Sequence, residues 1–248
     1  MFKLLTILFT LISFVFSQDI RVGSENSYKP FAYLDSDNNP SGFDNEVVKV
    51  VASYIQESKL NISSVSWNSL FSGLDSGKFD MIANQIVKNP KREEKYIFST
   101  QPYFYGLSAL IVKKDSKVDT LEQLKGKKIG VSVGSNHASN LETYLEKNPQ
   151  LNIKINYYKT TPSLMSDLFL GRVNAIINDP VAVLEYAKAQ NIDVKITDFV
   201  FEKTPVFFVF RKNSQELAKI IDQALAKAIA DGKISQLSIR YFGIDLTK

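Results

Sequence analysis

The chain has 248 residues, 44% hydrophobic and 23% charged, which is a globular composition and excludes disorder and a multi-span membrane protein. Lys and Arg number 30 against 26 Asp and Glu, and the net charge of +4 is spread along the sequence, so we expect no nucleic-acid partner. Cysteine is absent and His137 is the single histidine, which excludes disulfides, thiolate catalysis and zinc or iron–sulfur clusters. We therefore expect no metal and no cofactor.

The N-terminus has the pattern of a signal peptide. A short basic start precedes an apolar run over residues 4–16, which is too short to cross a bilayer as a helix. Val15 and Ser17 place compact residues at the −3 and −1 positions of a cleavage site before Gln18. The alternative is an uncleaved anchor or a buried helix. We expect residues 1–17 to be removed and, because no Cys can carry a lipid, the mature protein to be free in a Gram-negative periplasm.

The rest of the sequence alternates strand and helix patterns. Alternating apolar residues and short apolar runs predict strands, in chain order, at 19–24, 79–83, 107–113, 129–133, 154–158, 175–177 and 207–210. Apolar residues at helical spacing and capping residues predict helices after 44, at 69–76, after 136, at 180–190 and at 214–231. This alternation is typical of an α/β fold with parallel or mixed sheets and helices on both sides.

Two strand-to-helix turns carry polar residues that have two interpretations. Ser135 and Asn136 follow a predicted strand, so they form either an ordinary helix cap or a set of N–H donors for an anion. Asn178 and Asp179 precede a proline in the same way, which is typical of a structural cap. His137 has no Cys or acidic cluster near it, and such a lone His is typical of the surface, so a Ser-His-Asp triad is not indicated.

A series of short motifs runs through the whole mature sequence. They are Tyr-Lys-Pro-Phe at 28–31, Gly-Phe-Asp at 42–44, Trp67 with Leu70, Phe-Asp at 79–80, Lys-Arg at 91–92, Phe-Ser-Thr-Gln-Pro-Tyr at 98–103, Leu-Lys-Gly-Lys-Lys-Ile-Gly-Val at 124–131, Gly-Ser at 134–135, Asn-Asp at 178–179 and Tyr-Phe-Gly-Ile-Asp at 241–245. No single motif is specific, but the ordered set resembles the family 3 solute-binding proteins of bacterial polar amino-acid ABC transporters. Asn84, Gln85 and the sequence at 242–248 are most similar to the cystine-binding branch.

The resemblance implies an α/β, two-lobed type II periplasmic-binding-protein architecture with a ligand cleft between the lobes. Lobe 1 is expected at 19–104 and 206–248, and lobe 2 at 106–204. Two strands then cross between the lobes near Tyr105 and Pro205, and such a connection restricts the lobes to a hinge motion that opens and closes the cleft.

The resemblance also implies how a free amino acid is held. Its carboxylate and its ammonium each need an oppositely charged partner when they leave water. Arg92 matches the arginine that binds the carboxylate, since a planar guanidinium holds both oxygens. Asp179, in the other lobe, matches the aspartate that binds the ammonium, so one ligand engages both lobes and favours closure. The other site residues implied are Tyr28, Trp67, Asn84, Gln85, Val87, Ser135 and Asn136.

These further residues have distinct expected roles. Tyr28 and Trp67 cover the ligand with aromatic rings. The amides at 84–85 form the floor, and the turn at 135–136 adds hydroxyl and N–H donors for the carboxylate. Val87 stands where the family commonly has Ser or Thr, and Asn89 replaces the Thr of a Thr-x-x-Arg pattern. The carboxylate is therefore expected to depend more on backbone groups here.

The function implied is that of a periplasmic carrier, not an enzyme, which captures an L-amino acid and delivers it to an ABC permease. The expected ligand is cystine or another polar amino acid, and the carrier is expected to be a monomer. Two alternatives stay open. One is an enzyme on the same scaffold, similar to cyclohexadienyl or arogenate dehydratase, with Asp179 as its acid or base. The other is a surface antigen or a binding protein that presents its ligand to a receptor.

Overall fold

The computed structural model describes residues 18–248, and the predicted signal peptide at 1–17 lies outside the described residues. The strands are β1 (Gln18–Glu25), β2 (Ser27–Tyr28), β3 (Ala32–Leu34), β4 (Pro40–Ser41), β5 (Ser58–Val65), β6 (Met81–Val87), β7 (Tyr96–Phe98), β8 (Phe104–Lys113), β9 (Lys128–Ser132), β10 (Lys154–Tyr158), β11 (Ala175–Asn178) and β12 (Val194–Arg211). The helices are α1 (Phe43–Ala52), α2 (Leu70–Asp75), α3 (Pro90–Lys95), α4 (Asn136–Lys147), α5 (Thr161–Phe169), α6 (Pro180–Ala189), α7 (Gln215–Ala230) and α8 (Lys233–Phe242).

A nine-stranded mixed sheet has the strand order β10-β9-β11-β8-β12-β6-β1-β5, with β7 also paired to β12, and β2, β3 and β4 form a separate antiparallel sheet. β1 pairs in parallel with β5 and β6, and β9 pairs in parallel with β10 and β11. The antiparallel pair of β8 and β12 joins these two parallel groups. The α/β fold expected from the alternation of strands and helices is thereby confirmed.

Helices cover both faces of the sheet, as β8 illustrates. Its residues Leu110 and Val112 face the buried cluster that includes Leu141 of α4, whereas Ala109 and Ile111 face the cluster that includes Leu164 of α5. Alternate residues of a strand point to opposite faces, so a strand buried on both sides is an uninterrupted apolar run. The apolar run at 107–113, predicted as a strand, lies within β8.

The structure departs from the predicted elements in the length of β12 and in the additional helix α8, among others. β12 extends over Val194–Arg211, far beyond the apolar run at 207–210, because backbone pairing with β8 continues through polar residues with two register shifts. Gly232 ends α7 with φ 69°, as expected, but a further helix, α8, begins at once and packs on α1. Within residues 18–248, no helix combines the length and hydropathy needed to cross a membrane.

An aromatic cluster anchors the core next to the strand β8. Phe43 at the start of α1 is fully buried, with its ring centroid 5.1 Å from that of Phe104 and 5.0 Å from that of Phe242. Phe242, the last residue of α8, thus packs this helix against α1 and β8 through aromatic contacts.

We expect Phe43→Ala to lower the free energy of unfolding by about 3–5 kcal/mol, because it removes a buried ring and leaves a cavity. Urea denaturation followed by circular dichroism measures this change. Ile239→Ala on α8 is the control, since that side chain is half exposed and its loss should cost less than about 0.5 kcal/mol. A loss below about 1 kcal/mol for Phe43→Ala would contradict this packing.

Candidate functional site

A cavity, which we name the central cavity, lies where β8 and β12 meet the ends of strands from both parallel groups. The predicted site residues in its wall are Tyr28, Trp67, Asn84, Gln85, Val87, Ser135, Asn136 and Asp179. Sequence reasoning assigned no ligand contact to its other wall residues, which are Glu25, Gly106, Leu107, Ser132, His137, Thr161, Asn178 and Val206. Residues from distant parts of the chain therefore converge on one enclosed space.

Asp179 is both a helix cap and a wall residue of the central cavity. Its Oδ1 accepts a hydrogen bond from Val181 N at 2.8 Å, which caps α6 as the sequence predicts. Its Oδ2 accepts from Leu107 N at 3.1 Å, so the carboxyl group also contacts β8. Burial raises its pKa to about 6, although the backbone donors act in the opposite direction. Both interpretations of this residue are therefore compatible.

Gly106 marks the space in front of Asp179. A side-chain carbon at Gly106 would lie 3.5 Å from Gln85 Oε1 and 3.8 Å from Asp179 Oδ2. These two oxygens therefore border the same part of the central cavity, and both are hydrogen-bond acceptors. Such a pair suits a cationic N–H donor.

Glu25, at the end of β1, is a second buried carboxyl in the wall. Asn84 Nδ2 donates to its Oε2 at 3.4 Å, and Thr161 Oγ1 donates to its Oε1 at 3.4 Å. Burial raises the pKa of Glu25 to about 7. The position of Glu25 at the carboxyl end of a parallel strand, where ligands bind in open α/β sheets, is the sequence signal that would have found it.

Gln85 is held by a third buried acid behind the wall. Gln85 Nε2 donates to Asp44 Oδ1 at 2.7 Å, and Gln85 N donates to Tyr103 Oη at 3.2 Å. Because its amide nitrogen is engaged in this way, Gln85 directs Oε1 toward the space beside Gly106. Gln85 has φ 51°, which is unusual for a side chain of this kind. The Gly-Phe-Asp motif thus contributes Asp44 as a support for the cavity floor.

Arg92 lies beside the central cavity rather than in its wall. Its guanidinium donates to Val87 O at 2.7 Å and to Gly134 O at 2.8 Å, and it stacks over Phe71 with 5.0 Å to the ring centroid. Asn89, which replaces the expected Thr, caps α3 by accepting from Arg92 N at 2.9 Å. Burial lowers the pKa of Arg92 to about 10, so the group stays charged at neutral pH.

The N-terminus of α4 forms another part of the wall. Ser135 caps this helix: its Oγ accepts from Ala138 N at 3.1 Å and donates to Ser132 O at 2.8 Å. The hydroxyl proton is therefore engaged within the turn, which leaves backbone N–H groups as the donors at this end. Asn136 is the first residue of α4 and lines the cavity.

His137 is not the surface residue that the sequence suggested. It is the second residue of α4, it is buried, and its ring lines the central cavity. Burial lowers its pKa to about 4, so the imidazole is neutral at physiological pH. Local sequence patterns do not indicate this burial, because it depends on the packing of α4 against β8.

Four hydrogen bonds join opposite sides of the cavity directly. Tyr28 Oη donates to Asn178 Oδ1 at 3.0 Å, and Trp67 Nε1 donates to Val133 O at 2.8 Å. The bonds from Arg92 to Gly134 O and from Thr161 Oγ1 to Glu25 Oε1 are the other two. In each pair one residue precedes β8 in the chain, and its partner lies between β8 and β12. The cavity is thus bridged by direct contacts.

The charges around the cavity have no ionic partner among the residues that the structure describes. Glu25, Arg92 and Asp179 are all buried, and none of them takes part in a salt bridge within residues 18–248. The same part of the chain contains no cluster of three His, Asp or Glu residues that could hold a metal ion. Two buried acids thus line the cavity, and a buried guanidinium lies beside it.

Comparisons with known proteins agree with this geometry. Residues 20–244 match the family described as bacterial extracellular solute-binding proteins, family 3. The chain is 32% identical over 228 residues to the L-cystine-binding protein TcyJ of Escherichia coli (strain K12), covering 92% of this chain and 84% of that protein. It is 34% identical to the L-cystine-binding protein TcyA of Bacillus subtilis (strain 168), with 92% and 83% covered.

Solved structures share the same architecture. A structure described as a putative L-cystine ABC transporter from Listeria monocytogenes superposes with a TM-score of 0.84 at 29% identity, covering 93% of this chain and 98% of the other. The type II periplasmic-binding-protein fold expected from the motifs is thereby confirmed.

We expect the stability of the protein to fall as the pH rises from about 4.5 to about 7, in part through Glu25. The pKa of Glu25 is about 7 in the folded state against 4.5 for an ordinary Glu, so the folded state binds more protons in this window. Glu25→Gln should flatten this dependence and raise the free energy of unfolding at pH 8 by about 1–3 kcal/mol. Urea denaturation at several pH values measures both effects.

Glu94→Gln serves as the matched control, because Glu94 is exposed on α3 and should leave the pH profile unchanged. An unaltered profile for Glu25→Gln, or a loss of stability at pH 8, would show that Glu25 is ionised without cost in the folded state.

Proposed function

This chain belongs to the family 3 bacterial extracellular solute-binding proteins, and we propose that it captures an L-amino acid, with L-cystine as the first candidate, for delivery to an ABC permease. The observation that carries this proposal is the burial of Asp179 and Arg92 around one cavity with no ionic partner among the described residues. A zwitterion compensates both charges at once, whereas a sugar compensates neither.

The ammonium of the ligand is assigned to the space beside Gly106. Asp179 Oδ2 and Gln85 Oε1 border this space and supply a carboxylate and an amide acceptor. Asp179 is held by backbone donors on both oxygens, so its position does not depend on the ligand. A preorganised acid of this kind binds a cation without first paying for its own ordering.

The carboxylate of the ligand is assigned to the N-terminus of α4. Ser135, Asn136 and His137, at the start of this helix, line the cavity, and the helix dipole at this end favours an anion. Arg92 contacts Gly134 O at this turn, so its charge lies next to the same place. Because Val87 offers no hydroxyl, these backbone groups and the charge of Arg92 have the larger share of carboxylate binding.

The second buried acid favours L-cystine over an amino acid with a single ammonium. Cystine carries an ammonium at each end, and the wall offers Glu25 as well as Asp179. A ligand with one ammonium leaves Glu25 to be compensated by protonation, which its raised pKa of about 7 permits only in part at neutral pH. The names of the relatives, two of which are L-cystine-binding proteins, support the same ligand.

Binding is coupled to closure of two lobes, assigned to 19–104 with 206–248 and to 106–204. Tyr105 and Pro205 are paired where β8 and β12 cross between these lobes. A ligand held by Asp179 at one end and by the N-terminus of α4, with the charge of Arg92 behind it, at the other favours the closed form, and the direct bonds across the cavity add to it. The carrier is assigned to the periplasm as a monomer, and its partner is a permease that recognises the closed form.

A thermal-shift screen with the twenty amino acids and L-cystine tests this proposal. A ligand that binds only the folded state raises the melting temperature, and we expect the largest rise with L-cystine. Isothermal titration should then give one site with micromolar or tighter affinity, equivalent to about 8 kcal/mol or more. A shift with sugars or metals only would contradict the assignment to amino acids.

Asp179→Asn separates the ionic role of this residue from its role as a helix cap. Asn also caps helices, and the change removes a carboxylate whose burial raises its pKa to about 6, so the free energy of unfolding without ligand at pH 8 should be no lower than that of the parent. Loss of the charge should weaken L-cystine binding by about 2–3 kcal/mol, as measured by isothermal titration. Asp198→Asn is the control, because Asp198 is exposed and lies outside the cavity wall. Unchanged affinity in Asp179→Asn would refute the ammonium assignment.

The alternative of an enzyme is tested by incubation with prephenate and with arogenate. A carrier leaves both compounds unchanged, and the appearance of an aromatic product would favour the dehydratase interpretation. The alternative of receptor presentation is tested by a pull-down with and without L-cystine, in which a receptor would be retained in addition to permease subunits.

A further inference from the structure

His137 and Ser108 form a hydrogen-bonded pair that the assignments above leave unused. Ser108 Oγ lies 2.9 Å from His137 Nδ1, and both residues are buried. His137 lines the central cavity, and no described residue other than Ser108 hydrogen-bonds to its ring nitrogens. The second ring nitrogen is therefore free to bond to a ligand in the cavity.

The hydroxyl of Ser108 decides which ring nitrogen carries the proton. A buried hydroxyl must donate its proton to avoid the cost of an unsatisfied donor, and His137 Nδ1 is the only side-chain acceptor that contacts Ser108 among the described residues. The hydroxyl therefore donates to Nδ1, and Nδ1 is the unprotonated nitrogen. The proton of the neutral ring is then on Nε2.

Two observations keep this ring neutral. Burial without an acidic partner lowers the pKa of His137 to about 4. His137 is also the second residue of α4, and the positive end of a helix dipole disfavours an imidazolium. The ring consequently offers the cavity one neutral N–H donor over the whole physiological pH range.

We propose that His137 donates a hydrogen bond from Nε2 to an oxygen of the bound amino acid, and that Ser108 is the positioning residue that selects the required tautomer. This inference rests on the proposed function and deepens it. The donor groups of the site, His137 and the first turn of α4, then lie together, whereas Glu25 and Asp179 are acceptors or anions. The ligand is thereby oriented, because its oxygens must face α4 and its nitrogens must face the acids.

The composition of the chain makes the tautomer measurable, since His137 is the single histidine. Protein expressed without a histidine tag and labelled with ¹⁵N-histidine gives one pair of ring nitrogen signals in a long-range ¹H–¹⁵N spectrum. We expect the Nε2–H tautomer at pH 7, and a clear change of the Nε2 signal when L-cystine, or the amino acid with the largest thermal shift, saturates the site. An imidazolium, an Nδ1–H tautomer or an Nε2 signal that ignores the ligand would overturn the inference.

Ser108→Ala tests the positioning role. Without the hydroxyl, Nδ1 loses its donor, so both tautomers should become populated and the two ring signals should move toward each other. Ser99→Ala is the matched control: Ser99 is also buried and hydrogen-bonded, to Gln101 O and Phe208 N, but it lies outside the cavity wall. That variant should leave the ring signals unchanged. An unaltered tautomer in Ser108→Ala would overturn the assignment to Ser108.

Substitutions of His137 test the ligand contact by affinity. His137→Gln keeps an N–H donor near the position of Nε2 and should bind within about threefold of the parent, whereas His137→Leu should bind about five- to fiftyfold more weakly. Equal binding by His137→Leu would refute the contact while the proposed function stands. If no amino acid binds the parent protein, both the proposed function and the ligand contact of His137 are refuted. The tautomer measured without ligand still tests the role of Ser108 in that case. If His137→Leu does not fold, the response of the parent's Nε2 signal to ligand tests the ligand contact instead.

Discussion

Buried charge without an internal counter-charge is the constraint around which this site is built. Glu25 and Asp179 line one cavity and Arg92 lies beside it, and none of the three forms a salt bridge with another side chain that the structure describes. Each is held by neutral hydrogen-bond partners, which fix its position but do not neutralise it. Such an arrangement costs stability in the free protein, and a zwitterionic ligand recovers that cost as binding free energy.

The fold places these groups by means of the strand pair that joins its two parts. β8 and β12 connect the parallel strands around β1 to those around β9, so the strand ends of both parts meet at the same place. The wall residues Gly106 and Leu107 lie in β8, and Val206 lies in β12. Other wall residues lie at strand ends and helix starts on either side of these two strands. Hydrogen bonds from Tyr28 and Trp67 cross the central cavity directly, so its two sides are in contact through these side chains as well.

Local sequence patterns predicted the residues whose roles are local. Ser135 and Asp179 are helix caps, and the sequence identifies caps because the hydrogen bonds involved span only two or three residues. Glu25 and His137 were missed because their roles arise from contacts with Thr161 and Ser108, which are far away along the chain. The direction in which a side chain points also depends on such distant contacts, so sequence patterns do not predict it.

Arg92 illustrates the difference between position and orientation. The motif resemblance predicts Arg92 as a site residue, and Arg92 lies next to the cavity. Its guanidinium, however, donates to two backbone carbonyls and stacks on Phe71, and it does not line the cavity wall. Motif matching specifies which residues approach a site, whereas the packing of α3 against its surroundings determines where a guanidinium points. Under the proposed function, the ligand carboxylate is therefore assigned to the N-terminus of α4 together with the charge of Arg92.

The requirement for both charges of the ligand can be measured with matched compounds. Isothermal titration would compare the amino acid that binds with its N-acetyl derivative, which lacks the ammonium, and with its carboxamide, which lacks the carboxylate. Binding of the zwitterion alone, with each derivative weaker by at least about 2 kcal/mol, is the predicted result. Equal binding of either derivative would contradict the pairing of a buried acid and a buried cation around the ligand.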